Sequence, residues 1–238
     1  MLRLSIKKTF ILFLLAGCAS QEKFNNQFVS DPIEPVNRLV FSMNDVIDTV
    51  ILRPTAYTYK SVIPAPIREV VYNFLDWLSS PIYIVNSALQ GNFTALEHNT
   101  ARFIANSPMF GLVDNATGLG LERWPEDFGQ TLAVWGVYDG PYLVLPLLGP
   151  SNLRDASGLL ADYFMDPTQH IIVCNDKQMR FQATRNVGEV IDFRARNYQK
   201  IKNIKETSID YYARIRAIYK QHRNLLIKNN LSSVEIMY

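Results

Sequence analysis

The sequence is poor in the residues that usually carry chemistry. Among 238 residues there are only two cysteines, Cys18 and Cys174, and three scattered histidines, His98, His170 and His222. No C-x-x-C or H-E-x-x-H spacing occurs, so zinc has no sequence support. No Gly-x-Ser-x-Gly elbow occurs, so an esterase or lipase serine is not marked. The DFG triplet at Asp127–Gly129 has no glycine-rich loop, strand lysine or H-R-D partner, which excludes a kinase. Charge is scarce from Glu126 to Ser151, where only Asp139 follows Asp127 as an acid or base. There is no apolar run long enough to cross a bilayer.

What is present begins at the N-terminus. Arg3, Lys7 and Lys8 precede the short apolar stretch Phe10–Ala16, and Leu15-Ala16-Gly17-Cys18 follows. This is a secretory leader, residues 1–17, ending in a pattern similar to the bacterial lipobox. Cys18 is then the lipidation residue, carrying a diacylglyceryl thioether and an N-acyl chain as its covalent group. That exceeds the two signals stable anchoring takes. Residues 19 and 20 are Ala and Ser, with no Asp to retain the protein at the inner membrane. The alternative is a soluble secreted protein cleaved near Ala16. With Cys18 acylated, Cys174 has no disulfide partner and reads as a small buried apolar residue in IIVC.

Residues 18–30 read as a polar tether. Residues 31–228 read as one helical domain, and 229–238 as a tail. The charge is uneven. Residues 18–175 hold 8 Lys/Arg against 16 Asp/Glu, net −8, whereas residues 176–238 hold 13 against 6, net +7. Two readings fit: one part meets a charged partner or headgroups, or both are solvated helix faces. Nucleic acid is a poor partner for an exported chain.

Apolar residues at Val36, Leu39, Val40, Met43, Val46, Ile47, Val50 and Ile51 trace one helix face. Pro54 is expected to end that helix. A second opens with Pro66 and shows Ile67, Val70, Val71, Phe74, Leu75 and Leu78. Pro81 is expected to start a third, ending at Gly91, and Thr94-x-x-Glu97 to box the start of a fourth. Glycines and prolines break residues 107–150 into short helices and turns, with Asp127 capping one. Helices are expected again over roughly 177–201 and 205–228. In the last, Tyr211, Ile215, Ile218, Tyr219, Leu225 and Leu226 would be inside and Arg214, Arg216, Lys220 and Arg223 outside. The first four helices, each of about 10–17 residues with a charged or amide-bearing polar face, cannot span a membrane. They can pack as a core or lie in a membrane interface, and periodicity does not separate the two. Trp124, Phe128, Trp135, Tyr138 and Tyr142 favour an interface as a group.

The motifs are dense from residue 31 onward. Asp31-Pro-Ile-Glu-Pro-Val-Asn-Arg38 is followed by Phe41 and Asn44, Arg53-Pro54-x-Ala56-x-x-Tyr59, and Pro64-x-Pro66-x-Arg68. Asn73-Phe74, Pro81, Asn86, Leu89-Gln90-Gly91, Arg102-Phe103-x-x-Asn106 and Gly111-Leu112-x-Asp114-x-Ala116 follow. Then come Glu126-Asp127-Phe128-Gly129-Gln130-Thr131-Leu132, Trp135-Gly136-Val137, Gly140-Pro141-Tyr142, Pro146, Gly149-Pro150-Ser151 and Arg154-Asp155. Thr184-Arg185, Asp192, Asp210-Tyr211, Arg216 and Tyr219 continue more sparsely. This series resembles the VacJ/MlaA outer-membrane lipoproteins.

The resemblance implies an all-α fold, a ring of short amphipathic helices in the inner leaflet of the Gram-negative outer membrane, with Gly/Pro-rich connections. It implies a central amphipathic channel through which misplaced phospholipids leave the outer leaflet. They would pass to a soluble periplasmic carrier and an inner-membrane transporter, with a trimeric porin as a further partner. No bond is turned over and no cofactor or metal is implied beyond the lipid on Cys18. Asp127, Phe128, Gly129, Trp135, Tyr138, Tyr142 and Leu143 are the candidate channel or interface residues. Arg214, Arg216, Lys220 and Arg223 are the candidate partner-binding face. A phospholipase acting on surface lipid and a structural envelope lipoprotein are the competing readings. The short Asp114–Trp124 segment is similar to a compact form of a channel-side loop in relatives.

Overall fold

The computed structural model describes residues 31–168 and 175–229, so Cys18, His170, Cys174 and the expected tether lie outside the described residues. Helix α1, Glu34–Ile47, starts with Pro35 in its first turn, where a missing N–H costs nothing. Pro54 does not end the run. One π-helical turn, Asp48–Leu52, follows α1, and Arg53 N–H donates to the Asp48 carbonyl. The wider turn lets Pro54 fall in the first turn of a new helix, α2, Arg53–Val62. Ile63 is extended, as a residue before proline prefers.

Helix α3, Ala65–Gln90, runs straight through Pro81. It packs against three other helices, which holds it together across the lost backbone bond. It stops at Gly91, whose φ is +69°. Helix α4, Phe93–Asn106, is capped by Asn92, which accepts from the Ala95 N–H; the expected Thr94 box lies inside the helix instead. Two short helices follow. Asp114 caps α5, Asn115–Gly118, and Asp127 caps α6, Phe128–Val134, as the sequence predicts for Asp127.

Strands β1, Tyr142–Leu145, and β2, Gly149–Asn152, form an antiparallel hairpin with Tyr142 opposite Asn152. The sequence reading has no strand here, because four-residue strands broken by Pro and Gly show no alternation. The Asn37 side chain supports the hairpin from α1, donating to the Tyr142 carbonyl and accepting from the Val144 N–H. Helix α7, Leu153–Met165, is capped by Asn152. Helices α8, Asn175–Arg196, α9, Tyr198–Thr207, and α10, Tyr211–Ile227, complete the described chain. The expected break near residues 201–205 thus moves to Asn197, with a second at Ser208–Asp210.

The elements meet in a closed circuit. α3 packs on α6, α6 on α7, α7 on β2, β1 on α1, α1 through the π turn on α2, α2 on α8, and α8 back on α3. This is the expected ring-like helical architecture, with one small hairpin added to it. Among the described residues no helix is long and apolar enough to cross a membrane.

Burial is inverted relative to a water-soluble domain. Val36, Leu39, Met43, Val46 and Val50, the apolar face of α1 and its π turn, are 55–67% exposed. Phe93, Ile104, Phe110, Leu119, Leu147, Leu148, Leu160 and Phe164 are exposed as well. Inside are Asn37, Asn86, Asn99, Arg102, Glu126, Gln130, Thr131, Arg154, Asp155 and Arg185. The apolar core is small: Tyr142, Val144 and Tyr212, flanked by Val40, Phe41 and Tyr219. Contiguous exposed apolar surface of this kind marks an interaction with membrane or protein.

Candidate functional site

The polar interior is built from the motif residues. Asn86 on α3 donates to Asp162 on α7 at 2.9 Å and accepts from the Thr131 hydroxyl on α6 at 2.8 Å. Asp162 in turn accepts from the Phe128 N–H, orienting the start of α6. Gln90 donates to Glu126 at 2.8 Å. Glu126 is buried, and burial drives its carboxyl up to about 7, with the Gln90 hydrogen bond opposing. Gln130 folds back onto the Pro125 carbonyl, so EDFGQTL holds itself and α3 together.

A second group lies at the far end of α4. Arg102 makes a two-pronged contact with Asp114 at 3.0 Å, and Arg123 reaches the same carboxylate at 2.7 Å. Burial pushes Asp114 up, but hydrogen bonds from Thr117, Arg102 and Arg123 outweigh it and leave the carboxyl well below the usual range. The Tyr72 ring meets two guanidinium groups, Arg123 at 4.5 Å and Arg196 at 4.1 Å. Arg196 continues to Asp192, which also accepts from the Tyr59 hydroxyl. The Asp114–Trp124 segment is therefore pinned by ion pairs.

The C-terminal helices supply the other half of the interior charge. Arg216 pairs with Asp31 at 2.6 Å and Glu34 at 3.1 Å. Lys220 pairs with Asp139. Arg223 reaches Asp127 at 2.6 Å and Asp155 at 3.1 Å. Arg185 meets Asp166, Arg194 meets Asp48, and Lys205 meets Asp45. In the opposite sense Arg38 pairs with Asp210 at 2.6 Å. The acidic part and the basic part therefore neutralise one another within the fold, which is neither of the two expectations for the uneven charge. Arg223 is buried rather than outside, because Asp127 and Asp155 draw it inward; only Arg214 of the four is fully exposed.

The candidate channel or interface residues separate into two sets. Asp127, Gly129 and Tyr142 belong to the interior. Burial pushes Asp127 up, yet the hydrogen bond and charge of Arg223 hold its carboxyl below the ordinary value. Gly129 leaves no room for a side chain, since a Cβ there would lie 2.5 Å from the Arg223 guanidinium. Tyr142 is 1% exposed and meets Tyr212 edge-on. It is thus a core ring, not an interface ring. Trp135 and Tyr138 are exposed, and Trp135 Nε1 donates to the Leu89 carbonyl at 3.0 Å. Phe128 meets Trp135 edge-on at 5.8 Å, and Leu143 is half-buried opposite Ser151. Sequence reasoning did not single out Asn37, Asn86, Glu126, Arg102 and Arg185 as interior groups. The available signal was their place in the motif series, on the polar faces of amphipathic helices.

The MlaA lipoprotein family model matches residues 29–226. The chain belongs to the MlaA lipoprotein family. It is 40% identical over 159 residues to the intermembrane phospholipid transport system lipoprotein MlaA of Escherichia coli strain K12, covering 63% of this chain and 62% of that protein. The protein of the same name from Haemophilus influenzae is 27% identical over 226 residues, 91% of this chain and 86% of that one. A protein of Rickettsia prowazekii strain Madrid E is 38% identical over 145 residues, and the matched part spans 58% of that relative's length. A solved structure described as "Structural basis for maintenance of bacterial outer membrane lipid asymmetry" superposes with a TM-score of 0.71 at 31% identity. That match covers 83% of this chain and 99% of the other.

Proposed function

We propose that this MlaA-family lipoprotein removes misplaced phospholipids from the outer leaflet of the outer membrane and passes them to a periplasmic carrier. The inverted burial carries the reading. A ring of helices with apolar residues outward and hydrogen-bonded amides and ion pairs inward suits a body set in one leaflet, where the apolar perimeter meets acyl chains. A polar interior would let headgroups enter without leaving charge in hydrocarbon. The names of the Escherichia coli and Haemophilus relatives, as intermembrane phospholipid transport lipoproteins, and the lipid-asymmetry subject of the solved structure agree with this. Acylation at Cys18, after a leader of residues 1–17, would add the anchor on the periplasmic side. A trimeric porin is the proposed lateral partner for the exposed apolar perimeter.

The protein is proposed to move lipid without breaking bonds, because the interior carboxylates are committed to caps, ion pairs and amide hydrogen bonds. The test is surface-exposed phospholipid in cells lacking the gene, restored by the wild-type gene and not by Cys18→Ala. Exposure that does not change on deletion contradicts the proposal and favours a structural envelope role. Release of fatty acid from phospholipid by the purified protein would favour the phospholipase reading instead.

A further inference from the structure

A second feature stands apart from the polar interior, at the junction of the π turn, α2 and α9. Thr49, Arg53, Pro54, Tyr57 and Tyr198 line an open pocket there. Arg53, Tyr57 and Lys60 fall at i, i+4 and i+7 along α2, and so share one face. All three converge on Tyr198 of α9. Tyr198 stands beside Arg53 in the pocket wall and favours its charged form. Lys60 Nζ stands 5.8 Å from the Tyr198 ring centre, and the Tyr57 ring 6.1 Å from it.

These two cations differ from most others described above. Arg38, Arg102, Arg123, Arg154, Arg185, Arg194, Arg196, Lys205, Arg216, Lys220 and Arg223 each form an ion pair with a carboxylate. Among the described residues neither Arg53 nor Lys60 does; Asp48 and Glu206 act on Arg53 only through space. Arg53 lines the cavity and Lys60 stands over the ring of the same Tyr198, and two cations so placed without a carboxylate partner suit an anion. The apolar stripe of α1 leads to the same place. Val46 and Val50 are exposed, and Pro54 and Tyr57 of the pocket continue their line. A π turn directly precedes Arg53, and such turns are frequent at functional sites.

We propose that Arg53, Lys60 and Tyr198 bind the phosphodiester of a glycerophospholipid, with its acyl chains lying along Val46 and Val50. This rests on the reading of the protein as a phospholipid-transport lipoprotein and adds a specific headgroup station on its rim. Arg53 supplies a planar fork suited to two phosphate oxygens, and Lys60 a second positive charge. The Tyr198 hydroxyl, in the wall of the same pocket, would donate a further hydrogen bond to the phosphate. Thr49 offers a further hydroxyl at the pocket wall.

The test is calorimetric titration of the full-length lipoprotein in detergent with dihexanoylphosphatidylglycerol, dihexanoylglycerol and inorganic phosphate. Both basic residues are exposed, so Arg53→Gln with Lys60→Gln keeps the fold, checked by circular dichroism, and Arg53→Lys with Lys60→Arg retains the charge. The double Gln variant is expected to lose about tenfold or more in affinity for the phospholipid. The charge-retaining pair is expected to recover part of it, and dihexanoylglycerol to show no dependence on either change. Wild-type affinity in the double Gln variant overturns this site while leaving the transport reading intact. Inorganic phosphate binding as tightly as the phospholipid, through the same residues, overturns the lipid assignment in favour of free phosphate. No phospholipid binding by the wild-type protein overturns both this site and the transport reading.

Discussion

Gly129 of α6 and Gly158 of α7 meet backbone against backbone: a Cβ on Gly158 would lie 2.4 Å from the Gly129 nitrogen. The contact brings the Asp127 cap of α6 and the Asp155 carboxylate of α7 within reach of one guanidinium, that of Arg223. The glycines of the EDFGQTL stretch and of α7 thus serve the interior ion cluster through close approach.

Gly158→Ala is therefore expected to destabilise the fold by about 3 kcal/mol, the upper end for overpacking, because the new methyl group meets backbone rather than a flexible side chain. Gly118→Ala, where a Cβ meets nothing within 4 Å, is the control and is expected to stay within about 0.5 kcal/mol of wild type. Thermal unfolding of the two variants in detergent, followed by circular dichroism, measures the difference.

Arg223→Met is expected to cost about 3 kcal/mol, because Asp127 loses its cation while Arg154 still pairs with Asp155. Arg214→Ala, about two and a half turns away on the exposed face of the same helix, is expected to be nearly neutral. Equal unfolding midpoints for both variants would show that the interior clasp contributes nothing.

Glu126 gives the stability a pH dependence of definite sign. Its ordinary value is 4.5 and burial raises it to about 7 in the fold. Between those values the folded chain holds a proton that the unfolded chain has released, so stability falls as pH rises through that window and levels off above it. Glu126→Gln cannot release the proton and retains an oxygen to accept from Gln90. Its unfolding midpoint should gain on wild type as the pH is raised from about 5 to about 8, by up to about 3 kcal/mol in stability. A constant offset between the two proteins across that range would contradict the assignment.

Much of the fold is legible in the sequence, and the residues that are not legible share a physical cause. The 3.6-residue stripe from Val36 to Ile51 places α1 correctly. It does not say which side faces out, since an amphipathic helix reads the same against a core or a bilayer. Pro54 is read as a stop and Pro81 as a new start, because their local preference ignores the π turn before one and the packed neighbours around the other. The hairpin depends on Asn37, more than a hundred residues away, and no local pattern announces it. Arg223 reads as outward by its charge, and only the meeting of α6 and α7 with α10 makes it an interior residue. The motif series marks most of the polar interior, but as a likeness to a family rather than as a set of contacts.

The central claim is that the apolar perimeter of this helical ring faces lipid. The most direct measurement places a nitrobenzoxadiazole label on single cysteines at Val46, Val50, Leu160, Arg214 and Glu206, in a Cys174→Ser background that keeps the acylated Cys18. The protein is reconstituted into vesicles containing doxyl-labelled phospholipid. Val46, Val50 and Leu160 are exposed apolar positions, whereas Arg214 and Glu206 are exposed polar ones. The account predicts strong quenching at the first three and little at the last two. Equal, weak quenching at all five would contradict it.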